Sequence, residues 1–162
     1  MQLHRILIPV DFTPGSTHAI DYGAELACHF ESQLMLLHAY RLPSFALPDG
    51  ALMATPGLVT RITDHAADAM DSCLDSLSER GIEADAMLRE GEPSLVISEV
   101  ASEIGASVIL MGTHDGDALV HLLSGSVTER VVRGSRVPVL TIHESMLEAV
   151  SKGEFRLPPA SV

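Results

Sequence analysis

The chain has 162 residues, of which 46% are apolar, and a formal net charge of −12. This length and composition predict about one folded domain that buries a core without disulfides or metals. The acidic balance excludes nucleic acid as a main partner, because phosphate backbones bind basic faces. No apolar run approaches the roughly 18 residues of a membrane span, and no secretory signal is recognisable, so we expect a cytoplasmic protein.

Short apolar runs alternate with amphipathic segments along the chain. The runs are typical of strands covered on both faces, and the segments between them have helical periodicity with Pro, Ser or Thr at their starts and Gly at their ends. The predicted strands are 5–10, 33–40, 82–89, 107–111 and 137–142, and 41–56 is predicted to be a long loop. This alternation predicts an α/β fold with a mainly parallel sheet and helices on both faces.

The apolar stripes of the predicted helices include both cysteines of the chain. Cys28 lies in the first helix, near Phe30, and Cys73 lies in the second, while Leu95 belongs to the stripe of the third. We expect these side chains to face the sheet. The cysteines are therefore predicted to be buried free thiols in a reducing compartment and not a disulfide.

Candidate ligand-binding residues follow the first and fourth predicted strands. Ligands of open parallel sheets bind beyond the carboxyl ends of the strands, at the point where strand order reverses. There Asp11 offers an acceptor for ribose hydroxyls, and Gly112 and Gly125 let the backbone approach a phosphate. The N–H groups of Ser126 and Val127 would point at that anion from a helix N-terminus.

Each of these residues also has a purely structural interpretation. Asp11 can cap the turn after the first strand, the two glycines can be ordinary turn glycines, and Ser126 can be a helix N-cap. Neither a P-loop nor a Gly-x-Gly-x-x-Gly fingerprint follows the first strand.

The segment between the fourth strand and the last helix has zinc-ligand side chains, His114, Asp115, Asp117 and His121. We favour a solvated polar loop over a metal site, because such residues are common in loops. No Ser-His-Asp set and no paired carboxylates can be assigned to catalysis. The sequence thus favours a binding module over an enzyme, with slow ATP hydrolysis left open.

Six segments together resemble the universal stress protein family over residues 1–143. They are Ile6-Leu7-Ile8-Pro9-Val10-Asp11, Leu36-Leu37-His38-Ala39, Glu90-Gly91-Glu92-Pro93, Val108-Ile109-Leu110-Met111-Gly112-Thr113-His114, Leu122-Leu123-Ser124-Gly125-Ser126-Val127-Thr128-Glu129-Arg130-Val131 and Val137-Pro138-Val139-Leu140. The resemblance implies strand order 3-2-1-4-5, an adenine nucleotide alpha hydrolase-like fold and a stress-response or signalling role through conformational change or partner contact. It also implies a homodimer through the fifth strand (Val137, Val139 and Leu140), with 144–162 as a C-terminal tail.

Members of this family that bind ATP have the motif Gly-x-x-Gly-x9-Gly-Ser/Thr. Gly112, Gly125 and Ser126 match it, but Asp115 occupies the middle glycine position and Gly116 follows one residue late. The resemblance thus implies ATP or AMP as the ligand, with Mg²⁺ as a bridge from Asp115 to phosphate. The implied nucleotide site comprises Pro9, Val10, Asp11, Ala39, Met111, Gly112, Thr113, Gly116, Gly125, Ser126 and Val127.

The departure at Asp115 leaves two other functions open. The first alternative is a family member without nucleotide binding that acts as a dimeric interaction protein. The second is an enzyme that acts on a small molecule or slowly hydrolyses nucleotides.

Overall fold

The protein is described here from a computed structural model, for residues 3–42, 45–47, 50–52, 55–113 and 126–143. Within these ranges the elements follow the predicted alternation of strands and helices. In chain order they are β1 (Arg5–Pro9), α1 (Pro14–Phe30), β2 (Gln33–Tyr40), β3 (Phe45–Leu47), β4 (Gly50–Leu52), α2 (Pro56–Glu79), β5 (Ala84–Glu90), α3 (Pro93–Glu103), β6 (Val108–Thr113), α4 (Val127–Gly134) and β7 (Val139–His143).

The main sheet consists of five parallel strands in the order β5-β2-β1-β6-β7. Counted among these five strands alone, the order is 3-2-1-4-5, which confirms the predicted fold. Leu7 in the central strand β1 pairs with Met35 on one side and with Ile109 on the other. The strand order therefore reverses between β1 and β6, and a crevice is expected beyond their carboxyl ends at such a point.

Successive residues of the central strands enter two different cores, one on each face of the sheet. Ile6, Ile8 and Leu110 pack with α1 and α2, whereas Leu7 and Ile109 pack with α3 and α4. Because both faces are covered, the strands are continuously apolar, as the sequence indicated.

The predicted starts of α1 at Pro14 and α3 at Pro93 are also found in the structure, whereas α2 starts at Pro56, the last residue of the predicted loop. Proline is the first residue of α1, α2 and α3, a position where its missing N–H costs no helical hydrogen bond. Gly81 and Gly105 follow α2 and α3 with φ of +73° and +62°, a left-handed conformation that glycine adopts without strain.

Three predictions about these elements were wrong. The segment 41–56 contains an antiparallel hairpin, β3 with β4, and is not loop throughout. Cys28 and Phe30 are exposed, and Leu95 is 58% exposed. Neighbouring helical residues differ by about 100° in direction, so Cys28 beside buried Ala27 cannot also face the sheet. The same rotation turns Leu95 away from the core that Val96 and Ile97 enter, and Phe30 lies at the last position of α1.

Among the described helices, none combines the length and hydropathy needed to cross a lipid bilayer. The predicted tail, 144–162, lies outside the described residues, so the domain division 1–143 and 144–162 stays a prediction.

Candidate functional site

The carboxyl edge of the sheet brings together most of the predicted nucleotide-binding residues. Pro9 ends β1 and Val10 follows it, and the Val10 N–H donates to the Leu37 carbonyl of β2 at 2.8 Å. The predicted residues of the neighbouring strands at this edge are Ala39 in β2 and Met111, Gly112 and Thr113 in β6. Gly116 and Gly125 lie outside the described residues, as do Asp115 and the rest of the histidine-containing loop.

Asp11 forms a tight turn at the end of β1. Its Oδ1 accepts hydrogen bonds from the Thr13 N–H at 3.1 Å and from the Thr13 hydroxyl at 2.5 Å. This is the Asx-type turn that short acidic side chains favour. The structural interpretation of Asp11 as a turn cap is thus confirmed. The turn also holds the carboxylate at the sheet edge, where a ligand would meet it.

Phe12 gives this turn an uncommon backbone conformation, with φ of +62°. A bulky residue in the left-handed region is strained by about 1–3 kcal/mol and persists only where its surroundings hold it. The Phe12 ring lies 4.5 Å from the His38 ring, centroid to centroid, and His38 Nδ1 lies 2.7 Å from the Val10 carbonyl oxygen. A carbonyl only accepts, so Nδ1 carries a proton and donates. The roles of Phe12 and His38 in this turn were not predicted from the sequence, because a positive φ at a non-glycine residue leaves no signal in hydrophobic periodicity.

Gly112 allows α1 to lie directly on the end of β6. A Cβ atom at this position would overlap the carbonyl oxygen of Gly15 and lie 2.5 Å from its carbonyl carbon. Gly15 is in the first turn of α1 and is buried. A close approach of helix to strand therefore requires a glycine here, independently of any phosphate.

Thr113 connects the ends of β6 and β7. Its hydroxyl lies 3.2 Å from the Ile142 carbonyl oxygen, to which it donates, and 2.9 Å from His143 Nδ1. A hydroxyl has one proton, so His143 donates to the Thr113 oxygen in this arrangement.

Helix α4 begins at the same edge of the sheet, because it follows β6 and leads back to the start of parallel β7. Ser126 is its N-cap, and the Ser126 hydroxyl accepts a hydrogen bond from the Glu129 N–H at 3.2 Å. The capping interpretation of Ser126 is confirmed. Val131 is fully buried and packs α4 against the sheet. The positive end of the helix dipole therefore lies at the carboxyl edge of the sheet.

Three charged side chains from different elements meet beside this crevice. Arg41 follows β2, Glu92 is the N-cap residue of α3, and Arg130 lies in the first turn of α4. Both arginines form ion pairs with Glu92, and Arg130 Nη1 lies 2.7 Å from Glu92 Oε1. The pairing of Arg41 and Arg130 with Glu92 was not predicted from the sequence, because it depends on tertiary structure. Glu92 and Arg130 belong to the family segments, and Arg41 does not.

Metal binding has no support in the part of the chain that the structure describes, where no group of three or more His, Cys, Asp or Glu side chains could hold an ion. Among the described residues, two groups have shifted pKa values, and both lie within helices. Burial and, secondarily, Glu25 raise the pKa of the Tyr22 phenol, and burial raises the pKa of the Cys73 thiol.

A five-stranded parallel sheet whose strand order reverses between β1 and β6 defines an α/β domain of the nucleotide alpha hydrolase-like class. The chain belongs to the universal stress protein family, which it matches over residues 2–143. The resemblance found in the sequence is thereby confirmed.

Relatives of the chain match it over most of their length. Universal stress protein Sll1654 of Synechocystis is 31% identical over 138 residues, which cover 85% of this chain and 83% of that protein. The crystal structure of a universal stress family protein from Burkholderia pseudomallei has a TM-score of 0.69 and 29% identity. The match covers 86% of this chain and 96% of that one.

Two more distant structures share the fold and have nucleotides bound. An Arabidopsis thaliana family protein with AMP bound has a TM-score of 0.60 and 16% identity, covering 86% of this chain and 91% of its own. A universal stress protein in complex with cAMP has a TM-score of 0.61 and 19% identity. The match covers 88% of this chain and 98% of that one.

Proposed function

We propose that this chain is an adenine-nucleotide-binding module of the cytoplasm that acts in a stress response or in signalling. Its output would be a conformational change or a partner contact and not chemical turnover. The observation that carries the proposal is the reversal of strand order between β1 and β6. There the Asp11 turn, the end of β6 and the N-terminus of α4 lie at one edge of the sheet.

The residues at the crevice suit the two ends of a nucleotide. Asp11 accepts hydrogen bonds from the nucleoside, and the small side chain of Ala39 leaves room beside it at the end of β2. The N-terminus of α4 attracts phosphate through its dipole and its free N–H groups. Gly116 and Gly125 would complete the phosphate loop, and Mg²⁺ would join Asp115 to the phosphates. AMP in the Arabidopsis protein and cAMP in the second distant structure support adenine nucleotides as the ligand class.

Substitution of Asp115 provides the test of the nucleotide site. The carboxylate would lie beside the phosphates, where one close like-charge contact costs a few kcal/mol at an effective dielectric of about 20. We expect Asp115→Gly to bind ATP at least about tenfold more tightly than wild type, which corresponds to roughly 1.4 kcal/mol. The gain should be smaller for AMP, and excess Mg²⁺ should reduce it. Isothermal titration calorimetry measures the ATP affinity, the AMP affinity and the effect of excess Mg²⁺ on the difference.

Two further variants serve as controls for this experiment. Gly125→Val fills the space that the phosphate needs and should abolish binding. Asp11→Ala should weaken ATP and AMP equally, because Asp11 contacts the end that both ligands share. If wild type binds neither nucleotide and Asp115→Gly gains nothing, the crevice is not a nucleotide site.

A dimeric interaction protein is the second candidate function. It is favoured by two exposed apolar side chains, Leu140 on the edge strand β7 and Val132 on the neighbouring helix α4. It also agrees with the local hydrogen bonds that occupy the Asp11 and Ser126 side chains. A third possibility, an enzyme on this fold, requires steady nucleotide turnover at ordinary enzyme rates, which a phosphate-release assay measures.

A further inference from the structure

Three elements emerge side by side at the carboxyl edge of the sheet. Tyr40, the last residue of β2, accepts a hydrogen bond from the Gly91 N–H at 2.9 Å, which holds the end of β5 beside it. Arg41 and Glu92 are the next residues after these two. Arg130 approaches from the first turn of α4. The three charged side chains therefore lie next to the helix terminus that the proposed function assigns to phosphate.

One carboxylate in this cluster serves two guanidinium groups. Arg130 pairs with Oε1 of Glu92, and Arg41 pairs with Oε2. Each guanidinium has five N–H donors, so one ion pair leaves most of its donors for other acceptors. The arginines are 60% and 49% exposed, whereas Glu92 is 22% exposed. The carboxylate is thus the inner member of the cluster, and the two guanidinium groups are the more exposed members.

The cluster is a local excess of positive charge on an acidic protein. The chain has a net charge of −12, but these three side chains sum to +1. The N-termini of α3 and α4 add about half a positive charge each. The nearby carboxylate of Glu129 is already paired with Arg133 at 2.7 Å, and Glu90 is exposed at the end of β5. The edge that faces the crevice is therefore suited to an anion.

A purely structural link would need only one arginine. Exposed ion pairs contribute little to stability, so folding energetics do not explain the second guanidinium. Two planar guanidinium forks match the oxygens of a phosphate group, which accepts several charge-assisted hydrogen bonds at once.

We propose that Arg41 and Arg130 bind the outermost phosphate of the nucleotide, and that Glu92 holds the two side chains in place until that phosphate arrives. The pair then makes the site prefer ATP to AMP, because a single phosphate at the α4 N-terminus does not extend to both arginines. This inference rests on the proposed function. The arginine pair would determine how many phosphates the preferred nucleotide carries.

Calorimetric titration of adenosine, AMP and ATP into wild type, Arg41→Gln and Arg130→Gln tests the pair. We expect each variant to bind ATP about tenfold more weakly or worse, because a hydrogen-bonded ion pair with phosphate is lost. Adenosine binding should not change, so the preference for ATP over AMP should fall. Arg130→Lys keeps the charge but not the fork, and its ATP affinity should lie between wild type and Arg130→Gln.

Arg80→Gln is the matched control. Arg80 is 40% exposed and pairs with Asp21 at 2.7 Å at the C-terminal end of α2, away from the carboxyl edge of the sheet, so its loss should leave all three affinities unchanged. Glu92→Gln should change the ATP affinity in the opposite direction from the arginine variants. The amide keeps an acceptor but no longer neutralises the arginines, so ATP should bind several-fold more tightly. Far-ultraviolet circular dichroism with thermal unfolding shows whether each variant is folded.

The outcomes distinguish a failure of the arginine inference from a failure of the proposed nucleotide function. If wild type binds ATP and both arginine variants keep its ATP-to-AMP ratio, the inference is wrong and the nucleotide function stands. If wild type binds no adenine compound, titration with inorganic tripolyphosphate is the second arm. Binding of tripolyphosphate that the double variant Arg41→Gln/Arg130→Gln loses supports the arginine pair and rejects the nucleotide function. No binding of either probe overturns both.

Discussion

Individual side chains in this protein differ in reactivity because helix rotation, and not residue type, sets their exposure. Cys28 on α1 is exposed, whereas Cys73 on α2 is half-buried against the core. Burial raises the pKa of the Cys73 thiol, so its nucleophilic thiolate forms only at higher pH than usual. The two thiols should therefore react as two distinct kinetic classes.

We expect Ellman's reagent at neutral pH to modify Cys28 at least about tenfold faster than Cys73, because thiolate fraction and access both favour Cys28. Cys28→Ala should remove the fast phase, and Cys73→Ala should keep it. In denaturant both thiols should react at similar rates. A fast phase that persists in Cys28→Ala would show that Cys73 is the accessible thiol.

The Asp11 turn fixes the orientation of one carboxylate at the sheet edge, as the proposed ligand-binding role of Asp11 requires. The Thr13 hydrogen bonds orient the carboxylate, and the Phe12–His38 contact with the His38–Val10 hydrogen bond holds the strained backbone. A site whose geometry is already formed loses little entropy on binding. This explains why a turn-capping role and a ligand-binding role for Asp11 are compatible.

At the scale of elements, the contact between α1 and β6 depends on two glycines that meet, Gly15 and Gly112. A methyl group at position 112 would overlap the helix backbone, which cannot rotate away as a side chain can. Loss of nucleotide binding in a Gly112 variant would thus report displaced packing and not a lost phosphate contact.

Gly112→Ala should lower the free energy of unfolding by about 1–3 kcal/mol or more, as overpacking does in well-packed interiors. Gly57→Ala is the control, because no atom lies within 4 Å of its added methyl group in the first turn of α2. Alanine there should stabilise the protein by about 0.4–1 kcal/mol. Urea unfolding followed by circular dichroism measures the free energy of unfolding of both variants. A Gly112→Ala variant as stable as wild type would contradict the close packing of α1 on β6.

For the whole molecule, the exposed edge of the sheet bears on assembly. β7 is an edge strand, and Leu140 on it is 40% exposed. A bare apolar edge promotes aggregation unless something covers it. Pairing with the same strand of a second copy would cover it by a two-fold interface. Pro138 lacks an N–H, so Val137, Val139 and Leu140 would contribute as much as backbone hydrogen bonds.

We expect static light scattering to show a dimer at concentrations on the order of tens of micromolar, above ordinary dimer dissociation constants. Leu140→Glu should give a folded monomer, because it places like charges across the two-fold axis. Leu95→Glu is the control, since Leu95 is equally apolar and exposed but lies on α3, which packs on β2 and α4. A wild-type monomer at this concentration would rule out the edge-strand dimer.

Apart from the β3–β4 hairpin, the sequence by itself determined the element types and most of their limits, since periodicity, capping residues and breakers act within a few residues of each other. It also placed Asp11, Gly112 and Ser126 at strand and helix ends, which is local information. The family segments supplied the strand order.

Only the tertiary structure decided which residues meet from distant positions. It assigned Gly112 to the packing of α1, turned Cys28 to solvent, and joined Arg41, Glu92 and Arg130 into one cluster. Each of these depends on how whole helices and strands are placed against one another, a placement set by burial of the two cores and not by any local pattern.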